Sequence, residues 1–328
     1  MDEVLTFSPP LRAKLATEDF EFVVTGGGGW LGQATLEMLE NALGDQIASR
    51  VHVFGSRHRE LLLRSRRRLV CHELNSLAQL RAGPCIVAHY AFLTRSLIPE
   101  LSASDFRDKN TAISQFVAAQ MCKLPVAGIF IPSSGAVYRT DRTIDDDLDA
   151  NPYGVLKARD ERRFLELAKK LQCRAVVSRV FNLAGPFINR FSTYALASIL
   201  LDIGKGGPIH LRADRPVVRS YVHVEDVINL AFALMLDDRP PPNSPFDTAG
   251  AFSIEIGDLA RLAARVLGKP DIDIIRPQLT STDPDYYVGD GKTFSSLMAR
   301  FNLGLTALDR QISDTANYLD VFGNTTQR

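Results

Sequence analysis

The chain has 328 residues, room for one large α/β unit with an appended lobe or for two ordinary domains. Hydrophobic residues make up 45% and charged residues 23%, the balance of a globular protein with a sizeable buried core. Lys plus Arg and Asp plus Glu stand at 38 each, so a zero net charge removes any global electrostatic case for nucleic acid or an anionic membrane surface as partner.

The cysteines at 71, 85, 122 and 173 lie far apart, with neither a C-x-x-C nor a His at zinc-finger spacing. They read as thiols in a reducing compartment, and no metal site is expected. Apolar runs fall short of the roughly 20 residues needed to cross a bilayer. The Met-Asp-Glu start lacks the basic-then-apolar order of a signal peptide. A cytoplasmic protein without a membrane partner is the expectation, so the glycosylation-type triplet Asn324-Thr325-Thr326 would never meet that machinery.

Residues 1–20 read as a short leader. Phe22-Val23-Val24 forms the first strand, stopping at Thr25 and a glycine cluster, and a helix follows with Leu31, Ala34, Leu36 and Leu39 apolar. Further strands are expected at 51–54, 85–88, 126–131 and 175–177, separated by helices at about 57–68, 105–122 and 152–171. Short apolar strands alternating with helices predict an α/β fold, a Rossmann-type doubly wound parallel sheet. Beyond 186 the rhythm breaks into Gly- and Pro-rich loops. The predicted division is a dinucleotide-binding domain over 1–186, with 215–240 crossing back into it, and a smaller mixed substrate lobe over 187–214 and 241–328.

Between the first strand and its helix runs Thr25-Gly26-Gly27-Gly28-Gly29-Trp30-Leu31-Gly32, in which Gly26, Gly29 and Gly32 give G-x-x-G-x-x-G. Such spacing provides a tight turn, close backbone approach to a pyrophosphate and close helix–sheet packing, and the helix N-terminus adds free N–H groups. Gly291-Lys292-Thr293 resembles the end of a P-loop, but Tyr286 stands where that motif needs glycine, and the reading is rejected. After the second strand the chain offers Gly55-Ser56-Arg57 rather than the carboxylate that NAD usually calls for. A hydroxyl and a guanidinium, with Arg59 nearby, suit a 2′-phosphate. NADP is therefore the expected cofactor, with NAD left open.

Asn151-Pro152-Tyr153-Gly154-Val155-Leu156-Lys157 opens a helix: Asn151 is a good N-cap and Pro152 fits the first position. Tyr153 and Lys157 then lie one turn apart on one face. A neighbouring ammonium favours the phenolate, so the pair suits proton transfer near neutral pH. Upstream, the strand at 126–131 runs into Pro132-Ser133-Ser134-Gly135-Ala136-Val137-Tyr138, with Ser hydroxyls where open α/β sheets bind ligands.

Glycine loop, Ser at a strand end and Y-x-x-x-K, in that order, resemble the extended short-chain dehydrogenase/reductase superfamily, which mostly handles nucleotide sugars. His89-Tyr90-Ala91, Arg179-Val180-Phe181-Asn182 running to Gly185-Pro186, and the segment from Arg219 to Val227 fit the same branch, so the resemblance spans roughly 22–300. It implies Ser134 polarising the substrate oxygen, Tyr153 as acid/base, and Lys157 holding the nicotinamide ribose. Gly26, Gly29, Trp30, Leu31, Gly32, Ser56, Arg57, Leu74, Ala91, Thr94, Tyr153 and Lys157 would line the cofactor. Asn182 and Arg219 would contact the substrate diphosphate. His210, Arg212, Asp283, Tyr286 and Tyr287 stay unassigned, and a homodimer through the helices at 105–122 and 152–171 is implied by analogy.

Dehydratases of this branch resemble one another in a Thr-Asp-Glu run at the Ser position. This chain has Ser134-Gly135-Ala136 there, without the carboxylate pair. NADP-dependent reduction of a nucleotide-linked keto-sugar, such as a 4-keto-6-deoxyhexose, is the first reading, because the basic end of the second strand points to NADPH. 4-Epimerisation is the alternative. Dehydration and a non-catalytic NADP-binding sensor rank below both.

Overall fold

The computed structural model describes residues 5–191 and 193–323, so Asn324-Thr325-Thr326 lies outside the described residues. Among the described residues two compact units emerge, one from Leu5–Val180 with Ile228–Phe246, the other from Phe181–Val227 with residues 247–323.

In the first unit, α1 (Pro9–Thr17) leads into β1 (Glu21–Thr25) and α2 (Trp30–Leu43). A single turn, α3 (Ile47–Arg50), precedes β2 (Val51–Gly55), β3 (Arg59–Leu62), β4 (Arg68–Glu73) and β5 (Cys85–His89). Then come α4 (Ala103–Met121), β6 (Val126–Ser134), α5 (Pro152–Leu171) and β7 (Arg174–Val180). They build one eight-stranded sheet, in which β7-β6-β5-β1-β2-β4-β3 follow the short strand Phe246–Asp247. Every neighbour from β7 to β4 is parallel, and β1 sits at the switch point: Phe22 pairs Val51 on one side and Ile86 on the other. Strand order reverses there, and the crevice beyond the strands' carboxyl ends is where such sheets take ligands. The central strands read as continuous apolar runs because helices cover both faces, and Phe22, Val24, Ile86, Val87, Ile129 and Phe130 are each no more than 1% exposed.

From Leu5 onward the leader packs on the first unit. Phe7 lies 5.0 Å from Phe232, and Asn229 accepts from the Ser8 N–H and donates to the Thr6 carbonyl.

Residues 57–68, expected as a helix, instead form a hairpin in which β3 runs antiparallel to β4 from Arg59 beside Cys71 to Leu62 beside Arg68. The run is rich in Arg, Leu and Glu, good helix formers, which explains the expectation. Burial overrides propensity: Leu61, Leu63, Leu69 and Cys71 are buried at period two, and Leu61 lies beside Gly27 of the glycine loop. Arg66 turns the corner with φ 69°, and the Leu63 N–H donates to the Arg67 carbonyl. Carboxylates of α2 then hold the hairpin through Arg64 on Glu37 and Arg67 on Glu40.

The second unit holds β8 (Asn182–Ala184), α6 (Ala195–Gly204), β9 (Ile209–His210), β10 (Val217–Arg219) and β11 (Tyr221–His223). Helix α7 (Val224–Leu236) starts in this unit, and from Ile228 onward it belongs to the first. After β12 (Phe246–Asp247) come β13 (Ile254–Glu255), α8 (Ile256–Val266), β14 (Ile274–Ile275), β15 (Asp285–Tyr287), α9 (Lys292–Arg300) and α10 (Leu308–Gly323). Its sheets are small: β13-β10-β15, β11-β8 and β14-β9. Among the described residues no helix is long and apolar enough to cross a membrane.

Candidate active site

Beyond β1 the glycine loop folds tightly under the segment that follows β5. The Gly26 and Gly27 N–H groups donate to the Phe54 carbonyl, and Gly29 N–H to the Gly26 carbonyl. Gly26 has φ +72°, and a Cβ there would meet the Tyr90–Ala91 peptide at 2.6 Å. At Gly32 an added Cβ would lie 2.4 Å from the Gly26 carbonyl, so only glycine lets α2 start this close to the strand. Gly29 differs, because a Cβ there would meet only the Gly26 carbonyl, at 3.3 Å, leaving that side of the loop open. Trp30, Leu31 and Gly32 form the first turn of α2, where backbone N–H groups lack intrahelical acceptors. An open cradle at a helix N-terminus fits a pyrophosphate.

The other expected cofactor residues fall along the same strand ends. Ser56 and Arg57 are exposed just past β2, not at a helix start. Leu74 follows β4 and is half-buried. The Ala91 N–H donates to the Thr25 hydroxyl at 3.3 Å, and Thr94 caps a short 3-10 turn. Thr25 also bonds His89 Nδ1 at 2.6 Å. Burial, with Lys157 and Arg163 nearby, pushes that imidazole down to about 3, so His89 is a neutral strut.

Ser134 ends β6, and its Oγ accepts from the Ala136 N–H, closing the 3-10 turn Gly135–Val137. Helix α5 docks on that turn through the Asn151 cap, whose side chain accepts from the Gly154 N–H and donates to the Ala136 carbonyl. Gly154 is the glycine that permits the approach: a Cβ would sit 1.9 Å from the Ala136 carbonyl oxygen. One face of α5 thus presents Tyr153 and Lys157 to the end of β6, where Lys157 Nζ donates to the Pro132 carbonyl at 3.0 Å. Lys157 is buried, and burial lowers its ammonium to about 8 despite Asp160 and Glu161. Phe92 covers both residues, with Nζ 4.1 Å from its ring centroid and the Tyr153 ring edge-on at 5.8 Å.

Composition and spacing gave no sign of Phe92, Glu161 or Asp285. Glu161 accepts from Ser133 Oγ at 2.5 Å and from Arg179 at 2.7 and 2.8 Å, and Arg179 donates to the Tyr138 hydroxyl. This buried pair locks the strand carrying Ser134.

In the second unit, Asn182 donates to the carbonyls of Ser220 and Tyr287. Arg219 bonds the Asp285 carboxylate and carbonyl, each at 2.8 Å, with Tyr287 under its guanidinium at 5.8 Å. β15 therefore joins Asn182 to Arg219, and the Tyr286–Tyr287 segment becomes part of this cluster, with Tyr286 exposed. His210 lies on the small β9, its backbone N–H donating to Asp202.

A family model for the NAD dependent epimerase/dehydratase family matches residues 22–246. The chain belongs to that family. The extended short-chain dehydrogenase/reductase likeness read from its motifs is thereby shown, and with it the Rossmann-type, mostly parallel sheet. It is similar to a UDP-glucose 4-epimerase from Mycoplasma genitalium, 29% identical over 223 residues, spanning 60% of this chain and 64% of that relative's length. Among solved structures it resembles a UDP-N-acetylglucosamine 4-epimerase from Methanobrevibacter ruminantium, with TM-score 0.71, 18% identity and coverage of 93% and 99% of the two chains. A UDP-glucuronic acid 4-epimerase from Bacillus cereus, solved with UDP-glucuronic acid and NAD, gives TM-score 0.70, 17% identity and coverage of 92% and 100%. At that identity these structures share the fold.

Proposed function

We propose that the protein interconverts C4 epimers of a nucleotide-linked hexose on a nicotinamide dinucleotide held by the glycine loop. The observation that carries this reading is the joining of Ser134, Tyr153 and Lys157 at the end of β6, with Gly135-Ala136 where dehydration would need two carboxylates. The sequence favoured keto-sugar reduction. The printed functions of the three relatives described above, each a 4-epimerase of a UDP-sugar, support epimerisation instead and suggest a UDP-sugar as substrate.

Ser134 would donate to the C4 oxygen while Tyr153 takes its proton, then returns it to the opposite face's product. Lys157, fixed on the Pro132 carbonyl, would hold the nicotinamide ribose and keep positive charge beside the phenol. The nicotinamide, when bound, supplies the acceptor and donor of hydride for C4. In the second unit, Asn182 and Arg219 would take the diphosphate, Arg219 exchanging the Asp285 carboxylate for phosphate oxygens.

NADP in preference to NAD is part of the proposal, supported by Ser56 and Arg57 past β2. That feature also supports a second reading, NADPH-dependent reduction of a nucleotide-linked 4-keto-6-deoxyhexose. A cytoplasmic homodimer pairing through α4 and α5, by analogy with the family, completes the proposal.

The test is product analysis. Purified protein with NADP⁺ or NAD⁺ is incubated with UDP-glucose, UDP-N-acetylglucosamine or UDP-glucuronic acid, and the sugars are separated. The expected result is a C4 epimer of one of them, lost about 10²-fold or more in Tyr153→Phe with cofactor affinity kept. Full turnover in that variant would remove Tyr153 from the chemistry.

A further inference from the structure

Helix α5 turns a basic stripe to the surface beside α4. Arg159, Arg162, Arg163 and Lys170 recur at helical spacing and line a groove of about 580 Å³. Gln115 and Ala118 line it from α4, and the buried Leu167 adds an apolar spot. Glu166 is the sole acid among the lining residues. Arg162 and Lys170 stand one turn to either side of it, yet neither pairs with it. Among the described residues Arg159, Arg162 and Lys170 pair with no carboxylate at all.

Arg163, by contrast, is held in place. Its Nη1 donates to Asp160 at 2.8 Å, and the buried Asp160 also accepts from Ser114 Oγ of α4 at 2.7 Å. Among the described residues Nε and Nη2 of that guanidinium have no acceptor, so two donors stay available to the groove.

In a chain of zero net charge this excess of cations is local. Guanidinium groups bind phosphate oxygens through paired N–H donors, and an ammonium adds a point charge. The volume falls in the range of small-molecule sites. The chain's own acidic loop is a poor occupant, because Asp146 is taken by Arg139 and Asp149 by Arg107. A two-fold contact sets the same face of both copies together. The proposed homodimer through α4 and α5 therefore brings two such grooves toward each other, and like charges across an interface oppose association.

We infer that this groove is a polyphosphate site, separate from the glycine loop, and that filling it neutralises the α4–α5 face so that two copies can pair. The pairing step rests on the homodimer reading; the site does not.

The full-length chain, loaded with one equivalent of its preferred dinucleotide, is titrated with tripolyphosphate and with ATP in phosphate-free buffer of low salt. Calorimetry reads binding, and sedimentation velocity reads the oligomeric state. The expected result is saturable binding, weakened at least tenfold in Arg159→Gln/Arg162→Gln, and a monomer that becomes a dimer as the groove fills. Both side chains are exposed, and an unchanged dinucleotide affinity certifies the fold of the double variant. Equal affinity for the two probes supports a site for the phosphate chain alone, and tighter ATP supports one that also takes the nucleoside. Binding that survives the double substitution, or binding of neither probe, overturns the site. A dimer present before any anion is added overturns the anion requirement and leaves the homodimer reading standing. A monomer with the groove filled overturns the pairing and the homodimer reading together.

Discussion

Asn151 and Ala136 are joined by a 2.8 Å hydrogen bond from the amide of one to the carbonyl of the other, across 15 residues of chain. The same Asn side chain accepts from the Gly154 N–H at 3.0 Å. One residue thus caps the helix carrying Tyr153 and Lys157 and ties it to the turn that ends the Ser134 strand. The two functions separate in Asn151→Asp, which retains the cap acceptor but sets a carboxylate against the Ala136 carbonyl and Asp145. The expected outcome is a larger loss in kcat than the stability change of about 1 kcal/mol associated with a cap. Steady-state kinetics alongside thermal unfolding would check this.

Gly154→Ala should behave unlike an ordinary helix substitution. Ala in place of Gly in a helix interior normally stabilises by about 0.5–1 kcal/mol. Here the methyl would stand 1.9 Å from the Ala136 oxygen and 2.4 Å from the Asn151 amide nitrogen. Overpacking of this kind costs about 1–3 kcal/mol, so urea unfolding is expected to show a net loss.

Lys157 gives the site a pH signature. Its ammonium, lowered to about 8 by burial, is charged below that pH and neutral above it. Affinity for the nicotinamide cofactor should therefore fall as pH rises through about 8, a limb absent in Lys157→Met. Phe92→Leu removes the ring 4.1 Å from Nζ, which stabilises the cation, and should move the limb to lower pH. Cofactor titration across pH 6–10 would reveal both, and an unmoved limb in Phe92→Leu would count against the contact.

Glu37 anchors the hairpin that carries Arg59. Its side chain is 2% exposed and accepts from Arg64 and the Leu5 N–H. Glu37→Gln leaves a guanidinium half-paired in a buried setting, for which about 3 kcal/mol is expected. Glu60→Gln breaks only an exposed pair with Arg68 and should change stability by less than about 1 kcal/mol. Chemical denaturation of the two variants side by side measures the contrast.

Asp226 is a stability titration in the second unit. Burial raises its carboxyl to about 6, although the Thr306 N–H and hydroxyl donate to it and pull the other way. Because the folded value exceeds the unfolded one of about 3.9, the contribution is full below pH 4 and lost as pH rises through 6. Between pH 4 and 7.5 the unfolding free energy of Asp226→Asn should gain on that of the unmodified protein by about 2–3 kcal/mol. A pH-independent difference would mean that Asp226 ionises normally.

What could be read from sequence was what local chemistry dictates. The glycine spacing, the Asn151-Pro152 start and the apolar strands each follow from neighbours along the chain, and the sheet order around β1 agrees with them. The hairpin was missed because Arg, Leu and Glu favour helix locally, while Leu61 is buried beside Gly27 and the hairpin is held by Glu37 and Glu40 of α2, all well over 20 residues earlier. Phe92 over Lys157 and Asp285 against Arg219 were invisible for the same reason: each is a contact between segments more than 60 residues apart.

The most direct measurement is the stoichiometry of cofactor to sugar. The protein, loaded with its preferred dinucleotide, is mixed with an excess of the nucleotide sugar that it converts, and dinucleotide absorbance at 340 nm is followed beside product formation. An epimerase returns its hydride, so many sugars should be converted with no net change in reduced cofactor. Consumption of one reduced cofactor per sugar, with a 4-keto sugar as the converted species, would contradict epimerisation and establish a reductase on the same three residues.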